Sequence, residues 1–173
     1  MNGATATTMS LAGNVSPPPT WHVKGAGDFD GDGKADILWQ DDSGQAGIWL
    51  MNGATATSMA LAGSNPGPAW HAKGAGDFNG DGKADILWQN DNGQAGIWLM
   101  DGTAPASMAF VGSNPGSSWH AAAASDLDGN GKADIVWQND NGQAMAWLLD
   151  GTSIVSSSII GSNPGPSWHI EWT

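Results

Sequence analysis

One interval constrains this chain more than any other feature: Trp21, Trp70, Trp119 and Trp168 recur every 49 residues, and Asp28, Asp77 and Asp126 keep the same spacing. A period fixed to the residue means a tandem array, in which each unit must bury its apolar face against its neighbours. Three full units read as residues 21–69, 70–118 and 119–167. Partial units stand at 1–20, which matches the end of a unit, and at 168–173, which matches only a beginning. The whole, 1–173, reads as a single domain. Asn-Pro-Gly segments divide the units and recur in register, as ordered connectors do.

Each unit holds four short extended segments and no helical pattern. In the first unit they are WHVKGAGDF, ADILWQ, QAGIWLM and ATATSMALAG. Asn52-Gly53, Asp101-Gly102 and Asp150-Gly151 are hairpin turns, because both central positions of such a turn need positive φ. Four strands joined by tight turns make an antiparallel meander. Repeated at this period, the meander predicts an all-β chain, a β-propeller of four-stranded blades. Small residues in the first strand, Gly25 to Gly27 and Ala122 to Ala124, suit the strand most crowded near a central axis.

Composition removes several function classes. The net charge is −12, with five lysines and no arginine, so nothing supports binding to nucleic acid or an anionic membrane. Without cysteine there is no disulfide, thiolate metal site or cysteine nucleophile. No apolar run is long enough to insert in a bilayer as a helix, and the start lacks the basic and apolar regions of a signal peptide. Every polar residue of interest is copied in each unit, whereas a catalytic pocket needs a set of unlike groups. No enzyme is expected.

Between the first and second strands lies the densest chemistry. GDFDGDGKADIL places Asp28, Asp30, Asp32 and Asp36 at positions 1, 3, 5 and 9 of a loop, with Gly33 at position 6 and the carbonyl of Lys34 at position 7. Alternating oxygens around a glycine bend are the first three quarters of a calcium loop, since hard carboxylate and carbonyl oxygens suit a hard divalent cation. Asp77, Asn79, Asp81, Lys83 and Asp85 repeat the pattern, as do Asp126, Asp128, Asn130, Lys132 and Asp134. About three Ca²⁺ per chain are therefore expected. No glutamate stands at position 12, so the ninth-position aspartate and water must complete the shell, at moderate affinity.

These three loops resemble those of the FG-GAP and VCBS repeats, a family of calcium-bearing propeller blades found in integrin α-chains, bacterial surface proteins and some lectins. The resemblance spans essentially the whole chain. It implies calcium ligands at the aspartates and asparagines just named and an extracellular or cell-surface adhesive or structural scaffold. The chain departs from the family in carrying Trp-His where a phenylalanine-glycine pair usually stands.

The Trp-His pairs Trp21-His22, Trp70-His71 and Trp119-His120 admit two readings. The indoles, with Trp39, Trp49 and their equivalents, can wedge between blades; or each pair can form a sugar platform, making the chain a repeat lectin that binds glycans on or between blades. The methionines read as core filler. Three full units fall short of the four to eight blades of a closed propeller. Self-association is therefore expected, as a homodimer joined through residues 1–20 and 168–173, with a glycan or surface protein as further partner.

Overall fold

A computed structural model describes residues 17–170. The outer strand expected within residues 1–20 falls largely outside the described residues, as do the last three residues of the chain.

The described chain is all strand and turn. Four strands, β1 (Trp21–Gly27), β2 (Asp36–Asp41), β3 (Ala46–Asn52) and β4 (Thr55–Ala62), form one antiparallel sheet in the order β1-β2-β3-β4. A second sheet has β5 (Trp70–Gly76), β6 (Asp85–Asn90), β7 (Ala95–Asp101) and β8 (Ala104–Val111), and a third has β9 (Trp119–Ser125), β10 (Asp134–Asn139), β11 (Ala144–Asp150) and β12 (Ser153–Ile160), both in the same meander order. Each first strand carries a bulge one residue long, at Lys24, Lys73 and Ala122. Bulges of this kind raise local twist.

The sheets stack face to face, β5 packing beside both β1 and β9. This close approach explains the small residues of the first strands. A methyl group added at Gly27 would lie 2.6 Å from the Ala84 Cβ of the next sheet, and one at Gly76 would lie 2.9 Å from Ala133 Cβ.

Two hydrophobic clusters lie between the sheets. One joins Phe29, Leu38 and Ile48 of the first unit to Ile86, Trp88, Trp98 and Met100 of the second. The other joins Phe78, Leu87 and Ile97 to Ile135, Trp137, Trp147 and Leu149. The tryptophans of the second and third strands thus fill the space between sheets, packed as tilted pairs with centroids 4.8 Å apart in each seam. The connectors are ordered by close packing. Gly44 has φ 98° and sits so near the Gly67 carbonyl that an added Cβ would fall 2.1 Å from its oxygen, while Asn65 donates to Ser43 Oγ at 3.0 Å.

Candidate metal centre and the seams that hold it

The loop between β1 and β2 is shaped by one carboxylate. Asp28 Oδ1 accepts the N–H groups of Gly31 at 2.7 Å and Asp32 at 3.1 Å, and Oδ2 accepts that of Gly33 at 2.7 Å. The bend requires positive φ at Gly31 (77°) and Gly33 (82°), which glycine adopts without steric cost. Asp77 and Asp126 make the same bonds to Gly80 and Gly82, and to Gly129 and Gly131.

The ninth-position aspartate closes the loop from inside. Asp36 is buried; its Oδ2 accepts Phe29 N–H at 2.8 Å and its Oδ1 accepts Met51 N–H at 2.8 Å, pinning the loop to β3. Asp85 and Asp134 repeat both bonds. As a result Asp28, Asp30 and Asp36 offer oxygens within 4.8 Å of one another, and so do Asp126, Asp128 and Asp134. In the second loop Asn79 stands in the place of Asp30, and its Nδ2 donates to Asp81 Oδ2 at 3.0 Å.

The fifth and seventh positions are placed differently. Asp32, Asp81 and Asn130 each turn an oxygen to the N–H of Lys34, Lys83 or Lys132, at 2.9, 2.8 and 2.7 Å. The lysine side chains leave the loop: Lys83 pairs with Asp101 and Lys132 with Asp150 in the β7–β8 and β11–β12 turns. Asn52 occupies that turn position in the first unit, and Lys34 pairs with Asp32 instead. The hydrogen bond from Lys34 holds the Asp32 carboxyl below its ordinary range and raises the ammonium.

Electrostatically the buried member stands apart. Burial pushes the Asp85 carboxyl up to about 6, against the stabilising pull of the Met100 and Phe78 N–H groups, with Asp81 and Asp77 adding repulsion. Asp126 is held below its ordinary value, chiefly by the Gly131 N–H. The donor set fits a divalent cation with oxygen ligands. Asp28 Oδ1 already accepts two N–H groups, whereas Asp28 Oδ2 and both oxygens of Asp36 accept one each and keep a second lone pair.

Two features of the seams escape a reading of single residues. Ala84 N–H donates to Asp28 O at 2.6 Å and Gly102 N–H to Phe29 O at 3.0 Å, so the first loop is bonded to the second unit; Ala133 and Gly151 bond the second loop to the third unit through Asp77 and Phe78 in the same way. Gln40 reaches across the seam as a backbone mimic, Nε2 donating to Trp70 O at 2.6 Å and Oε1 accepting Ala72 N–H at 3.0 Å. Gln89 makes the same clamp on Trp119 and Ala121, and Gln138 on Trp168 and Ile170. Their signal was the 49-residue recurrence itself, but their chemistry depends on which backbone lies opposite.

Each Trp-His pair is divided between environments. Trp70, half-buried, stacks on Phe110 with centroids 5.7 Å apart and planes 8° from parallel; Trp21 lines the equivalent recess of the first sheet, and Trp119 packs against the second hydrophobic cluster. The histidines point elsewhere, as alternation along a strand requires. His22, His71 and His120 bond through Nε2 to Asp42, Asp91 and Asp140 at 2.9, 2.7 and 2.7 Å.

The family model described as FG-GAP-like repeat matches residues 28–88 and 77–137, each span running from one acidic loop through the next. The chain belongs to the FG-GAP-like repeat family. No curated protein matches it. Among solved structures it is similar to a chain of the Tc holotoxin pore of Photorhabdus luminescens, with a TM-score of 0.54 and 14% identity over 85% of this chain. The match spans 7% of that much longer chain, and at this identity it shows a shared fold alone.

Proposed function

We propose that this FG-GAP-like chain is a calcium-stabilised arc of a β-propeller, acting as a structural or adhesive scaffold outside the cell. The observation that carries the calcium reading is the set of three carboxylates locked around one point in the β1–β2 loop and again in the β9–β10 loop. Asp28, Asp30 and Asp36 would hold the ion in the first unit, Asp77, Asn79 and Asp85 in the second, Asp126, Asp128 and Asp134 in the third. Bound calcium supplies positive charge among like-charged oxygens. Three ions would bring the formal charge of −12 to about −6. Extracellular calcium suffices even for sites with dissociation constants of about 10⁻⁴ to 10⁻³ M.

The arc would be completed by further blades from a second copy of the chain. Leu127, equivalent to the buried Phe29 and Phe78, is 42% exposed on the last sheet, and the half-buried Trp39 and Trp49 line a recess of the first. These are the two halves of the seam seen twice inside the molecule. Thermal melting of the whole chain in calcium and in EDTA tests the cation reading. A higher midpoint in calcium, absent with magnesium at equal ionic strength, is expected; equal midpoints in calcium and EDTA would refute it. Sedimentation separates the second element, which predicts a compact dimer.

A further inference from the structure

Five Asn-Gly pairs lie among the described residues, beginning at Asn52, Asn79, Asn92, Asn130 and Asn141. As dipeptides they are alike, and the structure separates one from the other four. Two locks hold each of those four. The first is on the asparagine: the side-chain oxygens of Asn79, Asn92, Asn130 and Asn141 each accept the N–H of the residue two further on, at 2.8, 2.9, 2.7 and 2.8 Å. The second is on the glycine nitrogen. Gly80 and Gly131 donate to the Asp77 and Asp126 carboxylates at 2.6 and 2.9 Å, and Gly93 and Gly142 donate to the Asn90 and Asn139 carbonyls, both at 2.8 Å.

Asn52 and Gly53 have neither lock. Both are exposed where β3 turns towards β4, and among the described residues nothing accepts Gly53 N–H or bonds the Asn52 side chain. The space around the glycine is open: a Cβ built on Gly53 would meet no atom within 4 Å beyond its chain neighbours. The equivalent turns differ in both respects. Asp101 and Asp150 stand in place of Asn52 and pair with Lys83 and Lys132, and the Phe29 and Phe78 carbonyls hold Gly102 and Gly151 N–H across the seams at 3.0 and 3.1 Å. No sheet precedes the first one among the described residues to supply such a carbonyl.

We propose that Asn52-Gly53 is a self-modification site, at which the asparagine of the folded chain converts to aspartate and isoaspartate while the other four pairs are spared. The Gly53 nitrogen, once it has lost its proton to solvent base, attacks Asn52 Cγ. The new N–Cγ bond displaces Nδ2 as ammonia and closes a succinimide ring. Water then adds to one of the two ring carbonyls: breaking the new bond leaves aspartate, and breaking the original peptide bond leaves isoaspartate, with the chain running through the side-chain carboxyl. A glycine nitrogen with no Cβ beside it and no acceptor on its hydrogen is the nucleophile this step needs. The aspartate product supplies the carboxylate that the other two units already have, so Lys34, which pairs with Asp32, gains the partner that Lys83 and Lys132 have. Isoaspartate instead adds a methylene to the backbone of the turn. In the assembly proposed above, Leu127 of a second copy would accept Gly53 N–H as Phe29 accepts that of Gly102, so the reaction belongs to the unassembled chain; the site itself does not depend on that assembly.

The test uses the full chain, diluted until it sediments as a single copy and held in mildly alkaline, calcium-containing buffer below its melting transition, with water enriched in oxygen-18. Peptide mass spectrometry follows each amide, and isoaspartyl methyltransferase reports isoaspartate. Asn52 is expected to convert at least about tenfold faster than any of the other four, the scale of opening one or two hydrogen bonds, with one solvent oxygen taken up per event and both acid isomers formed. In denaturant, where every lock is lost, the five rates should converge. Asp101→Asn places the same dipeptide under the Phe29 carbonyl, and its amide should react at least about tenfold more slowly than Asn52. An Asn52 rate no greater than those of the other four pairs in the folded chain, or an Asp101→Asn amide that reacts as fast as Asn52, would overturn the proposal. If Asp101→Asn does not fold, the comparison among the five native pairs decides it.

Discussion

Strands β2 and β6 begin with the same five residues, Asp-Ile-Leu-Trp-Gln, yet they are buried differently. In β6 all five are buried, whereas in β2 burial alternates: Leu38 is fully covered, and Ile37 and Trp39 are only half so. Local sequence cannot cause the difference. The second sheet has a neighbour on both faces, and the first has one on the face that carries Leu38. The acidic loops show the same separation: Phe78 is wholly buried by the following sheet, and its counterpart Leu127, with no sheet beyond it among the described residues, is exposed, although Asp77 and Asp126 make the same backbone bonds in their loops. The backbone conformation of a unit is thus local, set by glycine and Asp28-type bonds, while its stability comes from the seam.

The largest expected effect follows from the identical tryptophans. Trp88→Ala should cost about 3–5 kcal/mol, the usual loss for truncating a buried aromatic, and Trp39→Ala less than half of that. Denaturant unfolding of the dilute chain measures both, and equal losses would mean that the open face is covered. The glutamine clamps come next. Gln89→Ala leaves a buried carbonyl and N–H unpaired, at a cost of about 1–3 kcal/mol, whereas Gln138, which clamps the exposed terminal segment, should matter by about 0.5 kcal/mol or less.

A smaller effect concerns protons. The Asp85 carboxyl titrates near pH 6 in the folded chain, above its value of about 3.9 in the unfolded one. The folded state therefore binds the proton more tightly, and the resulting stability is complete below the unfolded value and lost as pH rises through about 6. In EDTA the chain should be more stable near pH 4.5 than at pH 7 on this account, and Asp85→Asn should abolish the difference. Calcium, which needs the carboxylate, should reverse the trend, stabilising more as pH rises through 6.

Much of this architecture was legible in the sequence because it is periodic. The Trp and Asp recurrences delimited the units, and the oxygen spacing located the loops between first and second strands. Asn-Gly and Asp-Gly located the outer hairpins one residue early: Asn52, Asp101 and Asp150 end their strands, and the turns are Gly53-Ala54, Gly102-Thr103 and Gly151-Thr152, with positive φ at the glycine alone. Less legible were contacts between units. Gln40 reads as an ordinary polar strand residue until the Trp70 carbonyl and Ala72 N–H are seen opposite it. The divergence of Lys83 and Lys132 from Lys34 depends on Asp101, Asp150 and Asn52, which lie eighteen residues further along the chain. The Trp-His pairs admitted both a core and a sugar-platform reading, and strand alternation sends their two side chains to different surroundings.

The central claim is that the acidic loops are cation sites which brace the seams between blades. Calorimetric titration of the full chain with calcium, repeated on Asp28→Ala and Asp126→Ala, tests it most directly. The account predicts about three ions bound to the native chain and one fewer in each variant. It also predicts that the variants' melting temperatures fall below the native value in calcium and approach it in EDTA. No heat of calcium binding, or a native stoichiometry retained in both variants, would contradict it.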